Sequence, residues 1–260
     1  MEETGAVIPL QPAPDSASRR PISIPRWLAA VQAILVSGLP TQLLMATVLI
    51  LGMRMNPWGP DGDSGGMTLE FMSMVLLFDT ALTAVLIRIF LEMSGETSRE
   101  VFLGRRPVLG EVLRGLALLP VVFIGVTIVA LGLRTVAPWL HTVEESPMLK
   151  FMNTPFEAAI FLVVVVLGAG VKEELQRAFV LRRFQQSLGG ARLGLVIWSA
   201  WFGILHFEQG LDVAASISLL GLFWGVLYLK RKSVVMPMVN HAGFNAAQVI
   251  QVMLVMILGA

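Results

Sequence analysis

Cysteine is absent from this chain, which excludes disulfides, thiolate metal sites and a cysteine nucleophile while leaving the redox compartment open. Tyrosine occurs once, so anchoring at a membrane interface falls to tryptophan. Charge is scarce as well: charged residues make up 14% of the 260, and 19 basic against 18 acidic residues leave a formal net charge of +1. That balance gives no basis for a nucleic-acid partner or a strongly acidic substrate. What is plentiful is apolar. Hydrophobic residues reach 55% and the mean hydropathy is +0.75, above what a soluble domain of this length carries. The composition predicts an integral membrane protein embedded in a lipid bilayer.

Residues 1–25 hold Pro9, Pro12, Pro14, Pro21 and Pro25 among small polar residues, with neither the apolar core of a signal peptide nor helical periodicity. They read as a disordered cytosolic tail. After them come about seven apolar runs, most of them near the roughly 20 residues that cross a bilayer. They cover 27–53, 68–93, 112–133, 156–184, 192–206, 211–229 and 234–258, the fifth being short. Trp27, Trp58 and Trp139 flank such runs, as an aromatic belt would.

Basic residues collect on alternate connections: Arg19, Arg20 and Arg26; Arg99, Arg105 and Arg106; Arg182, Arg183 and Arg192; Lys230, Arg231 and Lys232. The intervening loops carry Asp61 and Asp63, Glu144 and Glu145, and Glu208 and Asp212, with Arg54, Arg134 and Lys150 as exceptions. Since basic loops stay in the cytosol, the expected fold is an all-α polytopic transmembrane helical bundle of about seven spans with a cytosolic N-terminus.

Against this apolar background the polar residues stand out. Glu173 and Glu174 lie in the fourth run, His206 closes the fifth, and His241 and Asn245 share the seventh. Ionisable groups inside a bilayer are costly unless they face a cavity or one another, so three spans bearing acids and imidazoles imply a shared polar site. A helical rise places Glu173 roughly 15 Å, His206 roughly 20 Å and His241 roughly 12 Å from the cytosolic ends of their spans, so the three can converge. The bland alternative is that each makes its own interhelical hydrogen bond.

Spacing adds detail. Phe202 and His206 are four apart and share a helix face, as do His241 and Asn245. Arg177 reaches either glutamate, or else snorkels to the cytosol with Arg182 and Arg183. Gly168 and Gly170 admit either a substrate backbone or a packed helix, and Pro237 predicts a local kink. Asp79, in the middle of the second run, is either a satisfied carboxyl or part of the same cavity.

Two protease signatures are misleading or missing. Gly62-Asp63-Ser64-Gly65-Gly66 reproduces the string around a serine-protease nucleophile, but no histidine precedes His141 and the surroundings are helical, so it reads as a glycine-rich turn. There is no HExxH zinc motif, and His141 sits in a loop where solvation is the default.

Glu173-Glu174, then Phe202-x-x-x-His206, then His241-x-x-x-Asn245, in that order on successive spans, resemble the three motifs of the CPBP family, named for CAAX proteases and bacteriocin-processing enzymes and including Abi-like members. The resemblance covers about residues 110–260. It departs at one point: the family usually has Arg five after the first Glu, where this chain has Ala178, with Arg177 one position earlier.

The resemblance implies an intramembrane endopeptidase acting on a peptide or protein substrate in the membrane, of the CAAX-type prenylated or leader-bearing kind. Residues 111–260 would be the catalytic transmembrane core and 26–110 accessory helices. By the same analogy Glu173 is the general base, His206 orients water, and His241 and Asn245 polarise the carbonyl and stabilise the oxyanion. Glu174, Arg177 and Phe202 support them. Substrates are expected to enter from the cytosolic leaflet.

Two other readings stay open. A transporter or proton-coupled carrier would also place Glu, His and Asn at the midplane, although neither inverted repeats nor paired broken helices are evident. Glu173, His206 and His241 would be the three protein ligands if a catalytic zinc is bound. A metal-free mechanism is favoured, because the i, i+4 histidine pair of zincins is missing and neither histidine has an obvious carboxylate partner.

Overall fold

The computed structural model describes residues 23–58 and 67–259, and among them every regular element is helical. The expected tail over 1–25 lies outside the described residues except for 23–25, and the turn Gly62–Gly66 lies outside them entirely. The bundle is all-α, as its hydropathy requires.

The first apolar run is not one straight span. It forms α1 (Arg26–Val36) and α2 (Leu39–Thr47), the latter continuing as a π-helical turn over Val48–Gly52, and the two halves bend by 53°. The bend sits at Gly38, whose φ of +97° suits glycine, and Pro40 opens the new helix where a missing amide costs nothing.

Among the described residues five helices are long and apolar enough to cross a membrane, or six if the bent pair counts as one. They are α3 (Leu69–Met93); the continuous pair α4 (Val108–Ala117) and α5 (Leu119–Val136); the composite α6 (Pro155–Val164), π-helical Val165–Val171 and α7 (Lys172–Ser187); α9 (Leu211–Arg231); and α10 (Val235–Leu258). Between them α8 (Ala191–Ile204) is shorter. At 1.5 Å per residue it reaches only about 21 Å, so its C-terminal end, with His206 just beyond it, lies inside the bundle's depth.

Local chemistry explains the boundaries. Thr154 and Glu157 form a reciprocal capping box at the start of α6, with Pro155 in the first turn. Thr68 caps α3 by accepting from the Phe71 amide. The kink expected at Pro237 does not form: α10 begins at Val235, so Pro237 lies in the first turn, where amides have no intrahelical acceptor.

Packing divides the interior. Phe179, Leu181, Trp198 and Tyr228 form a core toward the end that carries Arg182 and Lys230, while Phe202, Leu220, Trp224 and Phe244 form another around the polar site. Helix α10 lies against α4, α6 and the π-helical turn. Gly170 of that turn makes the approach possible, since a Cβ there would meet the Ala242 Cβ at 2.5 Å. Packing, rather than substrate, accounts for this glycine. Outward faces such as Ile124, Ile128 and Leu131 of α5 and Leu254 and Leu258 of α10 are exposed, as suits hydrocarbon, and so are Trp27, Trp58 and Trp139.

Candidate active site

The composite helix from Pro155 to Ser187 changes from π to α at Lys172, immediately before the two glutamates. A π segment re-aims the residues that follow it and recurs at functional sites. Here the glutamates take different directions. The Glu173 side chain is 18% exposed and lines a cavity of about 590 Å³, whereas that of Glu174 is 1% exposed and points into protein. One Glu173 oxygen, Oε2, has no hydrogen-bond partner among the described residues.

Glu174 is held by two groups. Arg177 forms an ion pair with it one turn along α7, and His241 Nδ1 lies 2.9 Å from its Oε1. Arg177 is fully buried, so it does not snorkel toward the membrane surface. Its guanidinium lies 4.9 Å from the centre of the Phe202 ring and 5.6 Å from that of Trp224, favourable placements for a cation over aromatic faces. Glu174 is also the carboxylate partner that His241 lacked in the sequence. A residue 67 positions away becomes a neighbour only when α7 and α10 pack.

His241 is fixed on every side. Trp224 stacks on it at 3.8 Å between ring centres, Phe202 meets it edge-on at 6.0 Å, and its Nε2 lies 3.8 Å from Glu173 Oε2. That last gap is too long for a hydrogen bond. Trp224 is held in turn by Asn240, which accepts from the indole at 2.8 Å and donates to the Gly115 carbonyl at 3.0 Å.

His206 lies past the end of α8 rather than on the helix, yet it still meets Phe202 at 5.0 Å. Its Nδ1 is 2.7 Å from the Phe202 carbonyl oxygen. A carbonyl only accepts, so Nδ1 carries the proton, and in the neutral ring Nε2 is left with its lone pair. His206, His241, Asn245 and Phe202 line the same cavity as Glu173. The structure therefore brings together the residues that sequence order alone had linked.

Three participants had escaped notice. Lys172 is buried beside Glu173 and pairs with Asp79 of α3 at 2.6 Å, where Thr83 also donates to the carboxylate. Asp79 is thus a satisfied carboxyl and does not line the cavity. An inventory of charges within spans would have matched the mid-span acid of α3 with the lone lysine of the composite helix. Trp224 and Asn240 gave no such signal, because one buried Trp and one Asn are ordinary in a membrane helix. His141 is not simply solvated either: its Nδ1 contacts Asp212 at 2.9 Å at the far end of the cavity.

Among the described residues no group of three or more His, Asp or Glu side chains comes together as a metal-binding cluster. Glu173, His206 and His241 face one space without closing around a common point.

Residues 155–247 match the model of a family described as type II CAAX prenyl endopeptidase Rce1-like. The matched segment begins with α6 and ends just beyond Asn245, so it contains every residue named in the sequence motifs, while α1 to α5 lie outside it. No curated protein and no solved structure matches the chain. The apolar helices and this similarity together identify an integral, multi-pass membrane protein.

Proposed function

The match over residues 155–247 supports membership of the chain in the CPBP family, and on that premise we propose that the protein hydrolyses peptide bonds of membrane-associated substrates in the cavity lined by Glu173, His206, His241 and Asn245. The observation that carries this reading is the Glu173 carboxylate, which lines the cavity and whose Oε2 has no hydrogen-bond partner among the described residues, while Glu174 Oε1 beside it is held by both Arg177 and His241. A general base must reach a water and retain a free lone pair.

In the proposed reaction Glu173 takes a proton from water as the oxygen attacks the scissile carbonyl carbon. His206 Nε2, an acceptor, orients that water from the opposite side. The oxyanion receives hydrogen bonds from the Asn245 amide and from His241 Nε2. The C–N bond then breaks as Glu173 returns its proton to the leaving amine. Trp224, Phe202 and the Asn240 bridge keep His241 in place. A transporter gains nothing from the comparison.

The basic end of the bundle is proposed to face the cytosol, with α1 starting there. CAAX-type and leader-bearing peptides are both compatible with this chemistry. The deciding experiment incubates purified protein with a peptide library and identifies products by mass spectrometry, beside the Glu173→Gln variant. Defined products from the wild type that vanish in the variant support the reading; products of equal yield from both sink the role of Glu173, and no products from either sink the peptidase.

A further inference from the structure

The cavity has a direction. On α9 its lining runs along one face from Trp224 through Leu220 and Ile217 to Val213; on α10 it runs from His241 through Asn245 to Val249 and Val252; on α5 it runs over Val126, Ala130 and Arg134. Each set follows the i, i+3, i+4 spacing of a single helix face. All three start at the depth of the site and proceed to the same end of the bundle, where α9 begins and α5 stops. There the connections contribute Met148, Leu149 and Gln209 to the walls. These connections carry Glu144, Glu145 and Glu208. It is the end opposite Arg105, Arg182 and Lys232.

Toward the basic end the way is blocked. Below Glu173 the helix α7 is enclosed by packing: Gln176, Arg177, Phe179, Leu181 and Arg183 are all buried. The polar ones among them are tied down. Gln176 donates to the Val36 carbonyl at 2.7 Å, and Arg183 reaches Glu96 at 2.6 Å and Gln32 at 2.7 Å. Lys172 and Asp79 seal the side toward α3. Opening a path there would break several buried charge pairs, each costly to disrupt.

Resting on the peptidase reading and on the orientation given by the basic loops, we propose that substrate enters from the extracytosolic side. The substrate class is then an apolar polypeptide segment presented at the outer face of the membrane. The walls suit it. Met67, Met72, Met148 and Met152 with Val249 and Val252 form an apolar channel whose thioether side chains adapt to varied sequences. This reverses the cytosolic entry expected from the sequence, and it sets aside prenylated segments that remain in the cytosol.

The chain has no cysteine, so single introduced thiols report without background. Val213→Cys and Ile217→Cys place a thiol at the mouth and one turn deeper, neither at a proposed catalytic residue; Lys232→Cys marks the basic end. Intact cells and inverted vesicles are treated with a membrane-impermeant thiol reagent, in the wild-type and Glu173→Gln backgrounds. The expected result is labelling of Val213→Cys and Ile217→Cys in intact cells but not in inverted vesicles, with the converse for Lys232→Cys and no dependence on Glu173. Labelling of Ile217→Cys only in inverted vesicles, or in neither preparation, overturns the proposed route, as does labelling of Lys232→Cys in intact cells. Because labelling does not require turnover, this result stands apart from whether Glu173 is the base. A peptide cleaved by the purified protein is then added outside sealed right-side-out vesicles. Cleavage without permeabilisation is expected, and cleavage only after permeabilisation overturns the entry side.

Discussion

Glu174 Oε1 lies 2.9 Å from His241 Nδ1, joining the helix that bears both glutamates to the helix that bears the second histidine. The bond fixes the imidazole so that Nε2 looks toward Glu173, and Arg177 balances the carboxylate from the other side. Two adjacent acids thereby differ in role. One is enclosed by cationic and aromatic groups, and the other lines the cavity.

That division makes a catalytic prediction. Glu173→Gln is expected to abolish cleavage with an unchanged melting temperature, because the amide keeps the shape and cannot take a proton. Asn245→Ala is expected to lower kcat roughly 10²- to 10³-fold, the range for loss of one oxyanion donor, with little change in KM. Steady-state kinetics on an identified peptide decide; an Asn245→Ala defect confined to KM removes Asn245 from the oxyanion site.

A stability prediction concerns Arg177. Arg177→Met strands the buried Glu174 carboxylate and should cost about 3–5 kcal/mol, whereas adding Glu174→Gln removes the stranded charge and should recover most of the loss. Unfolding in detergent, followed by thermal or denaturant melting, measures both variants. Equal losses in the single and double variants contradict the assignment.

The Asp79–Lys172 pair reaches from α3, outside the family match, to the residue next to Glu173. A double-mutant cycle with Asp79→Asn and Lys172→Met should return a coupling of about 1–3 kcal/mol, as contacting charges do. Additive effects would show that the two side chains do not meet in the membrane.

Metal content gives the fourth test. Both histidines spend Nδ1 on protein acceptors, an arrangement that metal-ligating histidines share, but among the described residues the three candidate ligands do not gather around one point. Purified active protein is expected to contain well under one zinc per chain and to keep its activity after a strong chelator. Stoichiometric zinc, with activity lost on removal and restored on re-addition, would make Glu173, His206 and His241 ligands instead.

Much of this molecule was legible in the chain. Hydropathy dictates membrane helices because an unpaired backbone cannot lie in hydrocarbon, and Glu173, His206, His241 and Asn245 stand out because polar groups in such helices are expensive. Every apolar run recurs as helix. Length and composition could not show that the first run bends at Gly38, or that Pro237 falls harmlessly within a first turn, since both depend on where a helix begins. The partners of the site were settled only by packing. Arg177 is one turn from Glu174 on any helix, but its burial depends on Phe202 and Trp224 arriving from α8 and α9. Likewise His241 acquires its carboxylate from α7 and Lys172 its counterion from α3, because side chains far apart in sequence meet only after the helices have chosen their neighbours.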